Sequence, residues 1–340
     1  MTSMDVGMDI VGRPVGNPVG ADDIVYSVVV PVYNEEANID VLVQRVSSVL
    51  DVQGQPYEIL FVDDGSRDRT PQLLRDQCAN NSHVRAVRLT RNFGQEAAVQ
   101  AAYLYARGAW IVQMDGDLQN PPEEIPKLLL LRDRGYDIVF GVRVGRRDPL
   151  FRRFGSRAMR WSMQHFLSIK LPKDISTFRL MRGATAKMLA QFPERQKFLS
   201  ALACWVGAKH TTVDVGHASR RAGRTKYNIG KLVSHTFDLV VGFSSRPLRI
   251  IGLFGFVAGL VGLGFACWAI VEKLVWGTQM GWSSLFAAVM VTGGMQLLAL
   301  SLIGEYVARI FAQTQQRPIF VVAECMGGPY SPTNSDHEKT

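Results

Sequence analysis

The chain has 340 residues, of which 47% are hydrophobic and only 20% charged, and its formal net charge is +8 at neutral pH. This length allows one large domain with an appendage, and the apolar content is high for a wholly soluble protein. Four scattered cysteines without C-x-x-C spacing argue against a disulfide framework or a zinc site. The positive charge suits an anionic partner, and long apolar segments without an aromatic stacking module favour a membrane over nucleic acid.

Residues 1–24 are rich in glycine, proline and aspartate and have neither the basic start nor the apolar centre of a signal peptide. We expect this segment to be a disordered tail. After it, short β-branched runs alternate with segments of helical periodicity, which predicts an α/β fold with a mostly parallel sheet. The predicted strands are 26–32, 58–62, 84–89, 109–114 and 138–140, and the predicted helices are 39–50, 70–78 and 95–106.

Polar motifs follow four of these strands, and in a parallel sheet the carboxyl ends of the strands share one edge. The motifs are Asn34-Glu35-Glu36, Asp63-Asp64-Gly65-Ser66, Arg91-Asn92-Phe93-Gly94 and Asp115-Gly116-Asp117. Their convergence predicts a polar cleft of nucleotide size at that edge. No G-x-G-x-x-G sequence follows the first strand, which argues against a dinucleotide-binding site and hydride transfer.

Asp115 and Asp117 are the candidate metal ligands. If the strand continues through Gly116, alternation turns both carboxylates toward one face, and this glycine lets a ligand approach the backbone. Hard oxygen ligands suit Mg²⁺ or Mn²⁺, which can hold a diphosphate. A lone Asp-x-Asp is common in solvated loops, but three other polar motifs at the same edge favour a metal site.

Two charge-free segments, 250–271 and 278–304, are each long enough to cross about 30 Å of hydrocarbon as a helix. We predict two transmembrane helices within 250–304, preceded by juxtamembrane amphipathic helices at 229–249 and followed by a C-terminal tail at 305–340. Buried core helices are the alternative, but cores rarely contain charge-free runs of this length. The connection is short, so both flanks lie on one side, and their arginines make that side cytoplasmic. Glycines at small-residue spacing favour close helix contact and a homo-oligomer.

Basic residues concentrate in two parts of the chain and account for the net positive charge. The first part runs from Arg143 to Arg160 and the second from Arg220 to Lys231. In the first part, arginines share one helical face and apolar residues share another, as expected for a helix that lies on an anionic membrane surface. The alternative for any single arginine is an ordinary solvated position.

Four segments, in this order and spacing, resemble an inverting family 2 glycosyltransferase: S-V-V-V-P-V-Y-N-E-E, V-D-D-G-S-R-D, R-N-F-G-Q and D-G-D-L-Q-N-P-P-E. With F-R-L-M at 178–181 and G-R-T-K-Y at 223–227, the chain is similar to the bacterial polyprenyl-phosphate glycosyltransferases related to dolichyl-phosphate mannose synthase. Within that branch, N-S-H at 81–83 looks closest to the undecaprenyl-phosphate 4-deoxy-4-formamido-L-arabinose transferases. F-R-L looks more like the glucosyl and mannosyl members, so the sugar stays open.

The resemblance implies a Rossmann-like nucleotide-sugar-binding domain of the glycosyltransferase A type over residues 25–228. It implies inverting transfer of one sugar from a nucleotide sugar, with UDP preferred, to a polyprenyl phosphate. The implied location is the cytoplasmic face of the bacterial inner membrane, in a multi-pass protein with the catalytic domain and both termini in the cytoplasm. The product would be a lipid-linked sugar for cell-envelope or lipopolysaccharide modification.

The resemblance also implies roles for individual residues. The nucleotide-sugar-binding residues are Pro31, Tyr33, Glu35, Asp63 or Asp64, Asn92, Gly94 and Asp115; the ligands of Mg²⁺ or Mn²⁺ are Asp115, Asp117 and Gln119. The catalytic residues are Asp117, Asp174 and Arg143, and the acceptor-phosphate-binding residues are Arg143, Arg220 and Lys226. The family often has an acidic or Gly-Asp pair directly before F-R-L, whereas this chain has Ile175, Ser176 and Thr177, so no role is carried over to residue 177.

Two other functions remain alternatives. A membrane glycosyltransferase that acts on a glycan, such as a polysaccharide synthase, usually carries Gln-x-x-Arg-Trp, but here Arg160-Trp161 is preceded by Arg157, and two helices are few for a polymer channel. A non-catalytic scaffold that binds a nucleotide sugar is the other alternative. Loss of a metal ligand would favour it, whereas Asp115 and Asp117 are both present.

Overall fold

The computed structural model describes residues 24–143, 172, 175–192, 199–216, 246–276, 282–315 and 317–328. Several predictions therefore lie outside the described residues: the tail over nearly all of 1–24, the first basic segment beyond residue 143, Asp174, the second basic segment from Arg220 to Lys231, and the juxtamembrane helices except for 246–249.

The described residues form one eight-stranded sheet with helices on both faces. The strands are β1 (Tyr26–Val32), β2 (Tyr57–Asp63), β3 (Val84–Leu89), β4 (Trp110–Gln113), β5 (Ile138–Arg143), β6 (Ile175–Arg182), β7 (His210–Val215) and β8 (Val322–Met326). The helices are α1 (Ile39–Asp51), α2 (Thr70–Asn80), α3 (Gln95–Tyr105), α4 (Ile125–Leu129), α5 (Gly183–Gln191), α6 (Leu199–Trp205), α7 (Arg246–Trp276) and α8 (Trp282–Thr314). The predicted α/β class and the five predicted strands are confirmed.

The sheet is buried on both faces, which explains why its central strands are runs of valine, isoleucine and leucine rather than alternating patterns. Val28 and Val30 of β1 face one apolar cluster, to which α1, α2 and α4 contribute. Val29 of the same strand faces a second cluster, to which α3, α5 and α6 contribute. Successive residues of one strand thus fill two cores, and helices cover both.

The strand order is β7-β5-β6-β4-β1-β2-β3-β8. Strands β1 to β4 are parallel, and β6 lies antiparallel between β4 and β5, so that β5 and β7 run in the same direction as β4. The carboxyl ends of β1, β2, β3, β4, β5 and β7 therefore share one edge. Strand β8 pairs antiparallel with β3 and starts at that same edge, where Val322 lies opposite Leu89.

Helices α7 and α8 coincide with the two predicted transmembrane segments but extend beyond them. Within the described residues, the segment Val291–Thr314 is apolar and long enough to cross a membrane, with a mean hydropathy of 1.4 and none of it buried, and Ile251–Gly264 is a shorter apolar segment. The segment 305–340, predicted as a tail, is partly ordered, because α8 continues to Thr314 and β8 belongs to the sheet. Membrane crossing stays a prediction.

Candidate active site

An open cleft of about 320 Å³ lies at the carboxyl edge of the sheet. Its lining residues come from the loops that follow β1, β2, β3 and β4, as the sequence predicts. They are Pro31, Val32, Tyr33, Glu35, Asp64, Asn92, Gly94, Gln95, Ala98, Asp115, Gly116 and Asp117. Eight of the candidate site residues are therefore brought together, while their individual roles stay predictions.

The two candidate aspartates of the first motif differ in position. Asp63 is fully buried, accepts a hydrogen bond from the Ser66 amide at 2.9 Å, and lies 3.3 Å from Arg88 Nε. Asp64 lines the cleft, and its two carboxylate oxygens accept the backbone N–H groups of Phe93 at 2.7 Å and Gly94 at 2.9 Å. Of the pair, Asp64 is therefore the residue positioned to meet a ligand.

Asp64 fastens the loop after β2 to the loop after β3. Burial raises the pKa of Asp64, although the N–H groups of Phe93 and Gly94 partly offset that effect. The loops touch directly, since a Cβ at Gly65 would lie 2.5 Å from the carbonyl carbon of Arg91, and Gly65 has a φ of +71°. Only glycine fits this approach, so Gly65 allows the loop after β2 to contact the backbone of Arg91 and Asn92.

The loop after β1 forms another wall of the cleft. Tyr33 is 42% exposed, and Asn34 has a left-handed backbone with a φ of 55°, a conformation that asparagine tolerates better than most residues. The Glu35 carboxylate accepts a hydrogen bond from Asn38 Nδ2 at 2.6 Å, and the Glu35 amide donates to Thr70 Oγ1 at 2.9 Å. These bonds hold the wall against α1 and α2.

Strand β4 ends at Gln113, so Asp115 and Asp117 lie in a turn and not on a continuing strand. Gly116 lines the cleft, and a Cβ at this position would lie 2.8 Å from Cγ1 of Val32, so packing against β1 also favours glycine here. The close approach of a ligand to the Gly116 backbone stays a prediction. Leu118 is buried with a left-handed φ of 58°, which is strained for a leucine. The Gln119 amide donates to Asp117 Oδ1 at 3.1 Å, and among the described residues Gln119 does not line the cleft.

Asp115 accepts hydrogen bonds from three neutral side chains that the sequence analysis did not single out. Gln95 Nε2 donates to Oδ1 at 3.0 Å, whereas Thr177 Oγ1 and Asn120 Nδ2 donate to Oδ2 at 2.5 Å and 3.5 Å. Gln95 directly follows the R-N-F-G motif and Asn120 lies within the quoted D-G-D-L-Q-N-P-P-E segment, so both had a sequence signal. Thr177 stands directly before F-R-L, where the family often has an acidic or Gly-Asp pair, but its contact with Asp115 depends on the pairing of β6 with β4.

The remaining candidate residues are not placed in the cleft. Asp174, Arg220 and Lys226 lie outside the described residues. Arg143 is the last residue of β5, so its backbone lies at the carboxyl edge of the sheet. The acceptor-phosphate site therefore stays a prediction.

The donor atoms around Asp115 fit a hard divalent cation. Carboxylate and amide oxygens are the groups that Mg²⁺ and Mn²⁺ prefer. The Asn120 Oδ1 atom is buried and receives no hydrogen bond from a described residue, which leaves an amide oxygen beside the two aspartates. In the described part of the chain, no group of three or more histidine, cysteine, aspartate or glutamate side chains is arranged for a metal. A cation bound here would take its further ligands from a diphosphate.

Comparisons with known proteins agree with this geometry. The family model "Glycosyl transferase family 2" matches residues 27–187. The undecaprenyl-phosphate 4-deoxy-4-formamido-L-arabinose transferase of Yersinia enterocolitica is 36% identical over 92% of this chain and 97% of its own length. A glycosyltransferase of Synechocystis sp. described as uncharacterized is 35% identical over 90% of this chain and 97% of its own length.

Among solved structures, the glucosyl-3-phosphoglycerate synthase of Mycobacterium tuberculosis in complex with Mn²⁺, UDP and phosphoglyceric acid covers 64% of this chain and 76% of its own. It has 18% sequence identity and a TM-score of 0.44. The sequence relatives, by contrast, match over nearly their whole length at more than a third of all positions. This chain therefore belongs to glycosyltransferase family 2, and it is an enzyme of that class.

Proposed function

We propose that this enzyme transfers a single sugar from a nucleotide sugar, with UDP as the preferred nucleotide, to a polyprenyl phosphate at the cytoplasmic face of the bacterial inner membrane. The transfer depends on Mg²⁺ or Mn²⁺ and inverts the anomeric carbon. The name of the Yersinia relative supports the acceptor and makes 4-deoxy-4-formamido-L-arabinose the first sugar to test. Such a product would serve cell-envelope or lipopolysaccharide modification.

The observation that carries the proposal is that the cleft and the start of β8, shortly after α8, lie at the same edge of the sheet. Strand β7 ends at Val215 on this carboxyl edge, and α7 begins at Arg246, beyond a segment outside the described residues. Strand β8 begins at Val322 on that same edge, shortly after α8 ends. A lipid phosphate lies at the membrane surface, so an enzyme that uses it needs its cleft on the side from which its membrane segments leave.

The same connections support a hairpin in the membrane. Residues 210–215 and 322–326 form the two outer strands of one sheet, although α7 and α8 lie between them in sequence. Both ends of the apolar segment are thereby held by one domain on one side of the membrane. Two crossings satisfy this requirement and one crossing does not. Together with the arginines flanking the segment, this supports cytoplasmic termini and a multi-pass topology.

The chemistry requires positioning more than acid–base catalysis. A lipid monophosphate is mostly a dianion at neutral pH, by analogy with phosphorylated side chains, and is already nucleophilic. Its oxygen attacks the anomeric carbon as the bond from that carbon to the diphosphate oxygen breaks, so attack from the opposite face inverts the configuration. Asp115 and Asp117 would hold the cation, which neutralises the leaving nucleoside diphosphate. Asp64 and Glu35 would orient the nucleoside.

The test uses the full-length protein in detergent with undecaprenyl phosphate, Mn²⁺ or Mg²⁺ and a panel of nucleotide sugars, with lipid products followed by mass spectrometry. We expect the lipid to gain the mass of one sugar. We expect Asp117→Ala to lower the rate at least about 100-fold, because it removes a group that stabilises developing charge. Asp133→Ala is the matched control, since that carboxylate is 77% exposed and pairs with Arg132 on the surface.

Two results would contradict the proposal. Full activity of Asp117→Ala would remove the metal-binding role of this turn. Binding of nucleotide sugars without a lipid product from any donor would exclude polyprenyl phosphate as the acceptor.

A further inference from the structure

Strands β4 and β6 are antiparallel, and Gln113, the last residue of β4, forms an inner pair with Arg179. Asp115, in the turn that follows β4, and Thr177 of β6 form an outer pair two residues closer to the carboxyl edge. A hydrogen bond of 2.5 Å from Thr177 Oγ1 to Asp115 Oδ2 joins them.

The inner pair is buried and fixes the relative position of four elements. The Arg179 side chain donates from Nε to Gln113 Oε1 at 2.9 Å and from Nη1 to Ser200 Oγ at 2.8 Å. Tyr103 Oη donates to the same Gln113 oxygen at 2.5 Å. A buried network of this kind resists a register shift, because any slip would leave a guanidinium without acceptors. The arginine of the F-R-L motif therefore locks Thr177 opposite Asp115.

We propose that Thr177 is a positioning residue for the metal site, a proposal that rests on the proposed function. Its hydroxyl occupies one acceptor position of Asp115 Oδ2 and fixes the rotation of a carboxylate that lines the cleft. Partners of metal-ligating carboxylates typically contribute a factor of about 10 to 100 in metal affinity. Thr177 acts through Asp115 and does not itself line the cleft.

The neighbouring hydroxyl of Ser176 provides a matched control. Ser176 is buried on the opposite face of β6 and donates to the Gly141 carbonyl of β5 at 3.0 Å, beside the irregular register of that pair. Removing this hydroxyl disturbs the same strand without touching Asp115. A difference between the two positions therefore separates a role at the metal site from general support of β6.

The experiment measures the dissociation constant of Mn²⁺ by paramagnetic resonance of the free ion, with full-length protein in detergent and saturating UDP. We expect Thr177→Val, which keeps the shape but removes the hydroxyl, to weaken Mn²⁺ binding about tenfold or more. Thr177→Ser restores the hydroxyl and is expected to stay within about threefold of the unaltered protein. Ser176→Ala is expected to bind Mn²⁺ as the unaltered protein does.

Each contrary outcome overturns a distinct statement. Unchanged Mn²⁺ binding by Thr177→Val, or an equal loss in Ser176→Ala, would overturn the role of Thr177 and leave the proposed reaction standing. A loss in Thr177→Val that Thr177→Ser fails to restore would also overturn it. If the unaltered protein binds no Mn²⁺ in the presence of UDP, both the metal site and this inference are overturned.

Discussion

Glu58 at the amino edge of the sheet and Asp115 at the carboxyl edge are carboxylates beside the same core, and the hydrogen-bond donors described for them differ in charge. Glu58 is 1% exposed and accepts hydrogen bonds from Arg85 Nη1 at 2.6 Å and Arg107 Nε at 3.1 Å. It also accepts the Ser27 hydroxyl at 2.6 Å. Asp115 instead accepts from the neutral side chains of Gln95, Asn120 and Thr177.

The difference shows how one fold separates stability from chemistry. A guanidinium beside a buried carboxylate compensates its charge within the protein, which favours a fixed structure. Neutral donors, such as those that bond to Asp115, orient a carboxylate without compensating its charge. The amino edge thus holds a buried ion pair, and the carboxyl edge holds a carboxylate that lines the cleft.

The largest effect on stability is expected from Glu58→Gln. The substitution keeps the shape but removes the charge that compensates Arg85, which is 3% exposed, and we expect a loss of about 3–5 kcal/mol in the free energy of unfolding. Thermal unfolding in detergent, followed by tryptophan fluorescence, measures it. Glu123→Gln is the control, because Glu123 pairs with Arg45 on the surface; an equal shift in both variants would contradict the comparison.

The same carboxylate predicts a pH dependence. Burial by itself raises the pKa of Glu58, but the charge of Arg85 and the hydrogen bonds of Ser27 and Arg107 outweigh burial and hold the pKa below its ordinary value. A depressed folded-state pKa means that Glu58 stabilises the domain above the ordinary glutamate pKa of about 4.3. This stabilisation is lost as the pH falls through the depressed pKa. When the free energy of unfolding is measured against pH, Glu58→Gln is expected to flatten that acidic part of the curve.

A smaller effect is expected from Asp64→Asn, and it concerns binding rather than stability. An asparagine side chain has one acceptor oxygen in place of two, so either the Phe93 or the Gly94 amide loses its partner. We expect UDP affinity to fall about tenfold, which corresponds to about 1.4 kcal/mol. Calorimetric titration with UDP measures it. Asp63→Asn serves as the control, since Asp63 does not line the cleft, and equal affinities in all three proteins would contradict the assignment.

The smallest effect is expected at the surface, from Glu324→Gln. The Glu324 carboxylate pairs with Arg75 through two hydrogen bonds of 2.8 and 3.1 Å, and both side chains are more than a third exposed. An exposed ion pair contributes about 0.2–1 kcal/mol, so a small fall in the unfolding midpoint is expected, and it should shrink in high salt. A loss as large as that of Glu58→Gln would mean that β8 carries more of the stability than its exposure indicates.

Sequence patterns predicted the elements that are locally marked. Strands β1 to β4 are apolar runs that end in turn residues, and their parallel order follows from the helices between them, which is why the cleft residues could be foreseen. Strands β6, β7 and β8 were not predicted, and their places in the sheet depend on partners that are distant in the sequence. The contact of Thr177 with Asp115 was missed for that reason.

The glycine at position 116 also had two interpretations from sequence. It suits a ligand that approaches the backbone and equally suits a close neighbour within the protein, and no local pattern distinguishes the two. The structure shows the close neighbour, which is Val32 of β1. A similar ambiguity applied to Asp63 and Asp64, since adjacent residues at a strand end point to opposite sides and only the position of the loop after β3 decides which side holds the cleft.

Strand β8 makes the completion of the domain depend on the order of synthesis. It follows both apolar helices in the chain and pairs with β3, which until then is an edge strand with unpaired backbone groups. The ribosome synthesises α7 and α8 before Val322–Met326, so the sheet is completed only after the apolar segment has been made. A chain that stopped after Thr314 would keep its helices and cleft residues but leave β3 open to pairing with other chains.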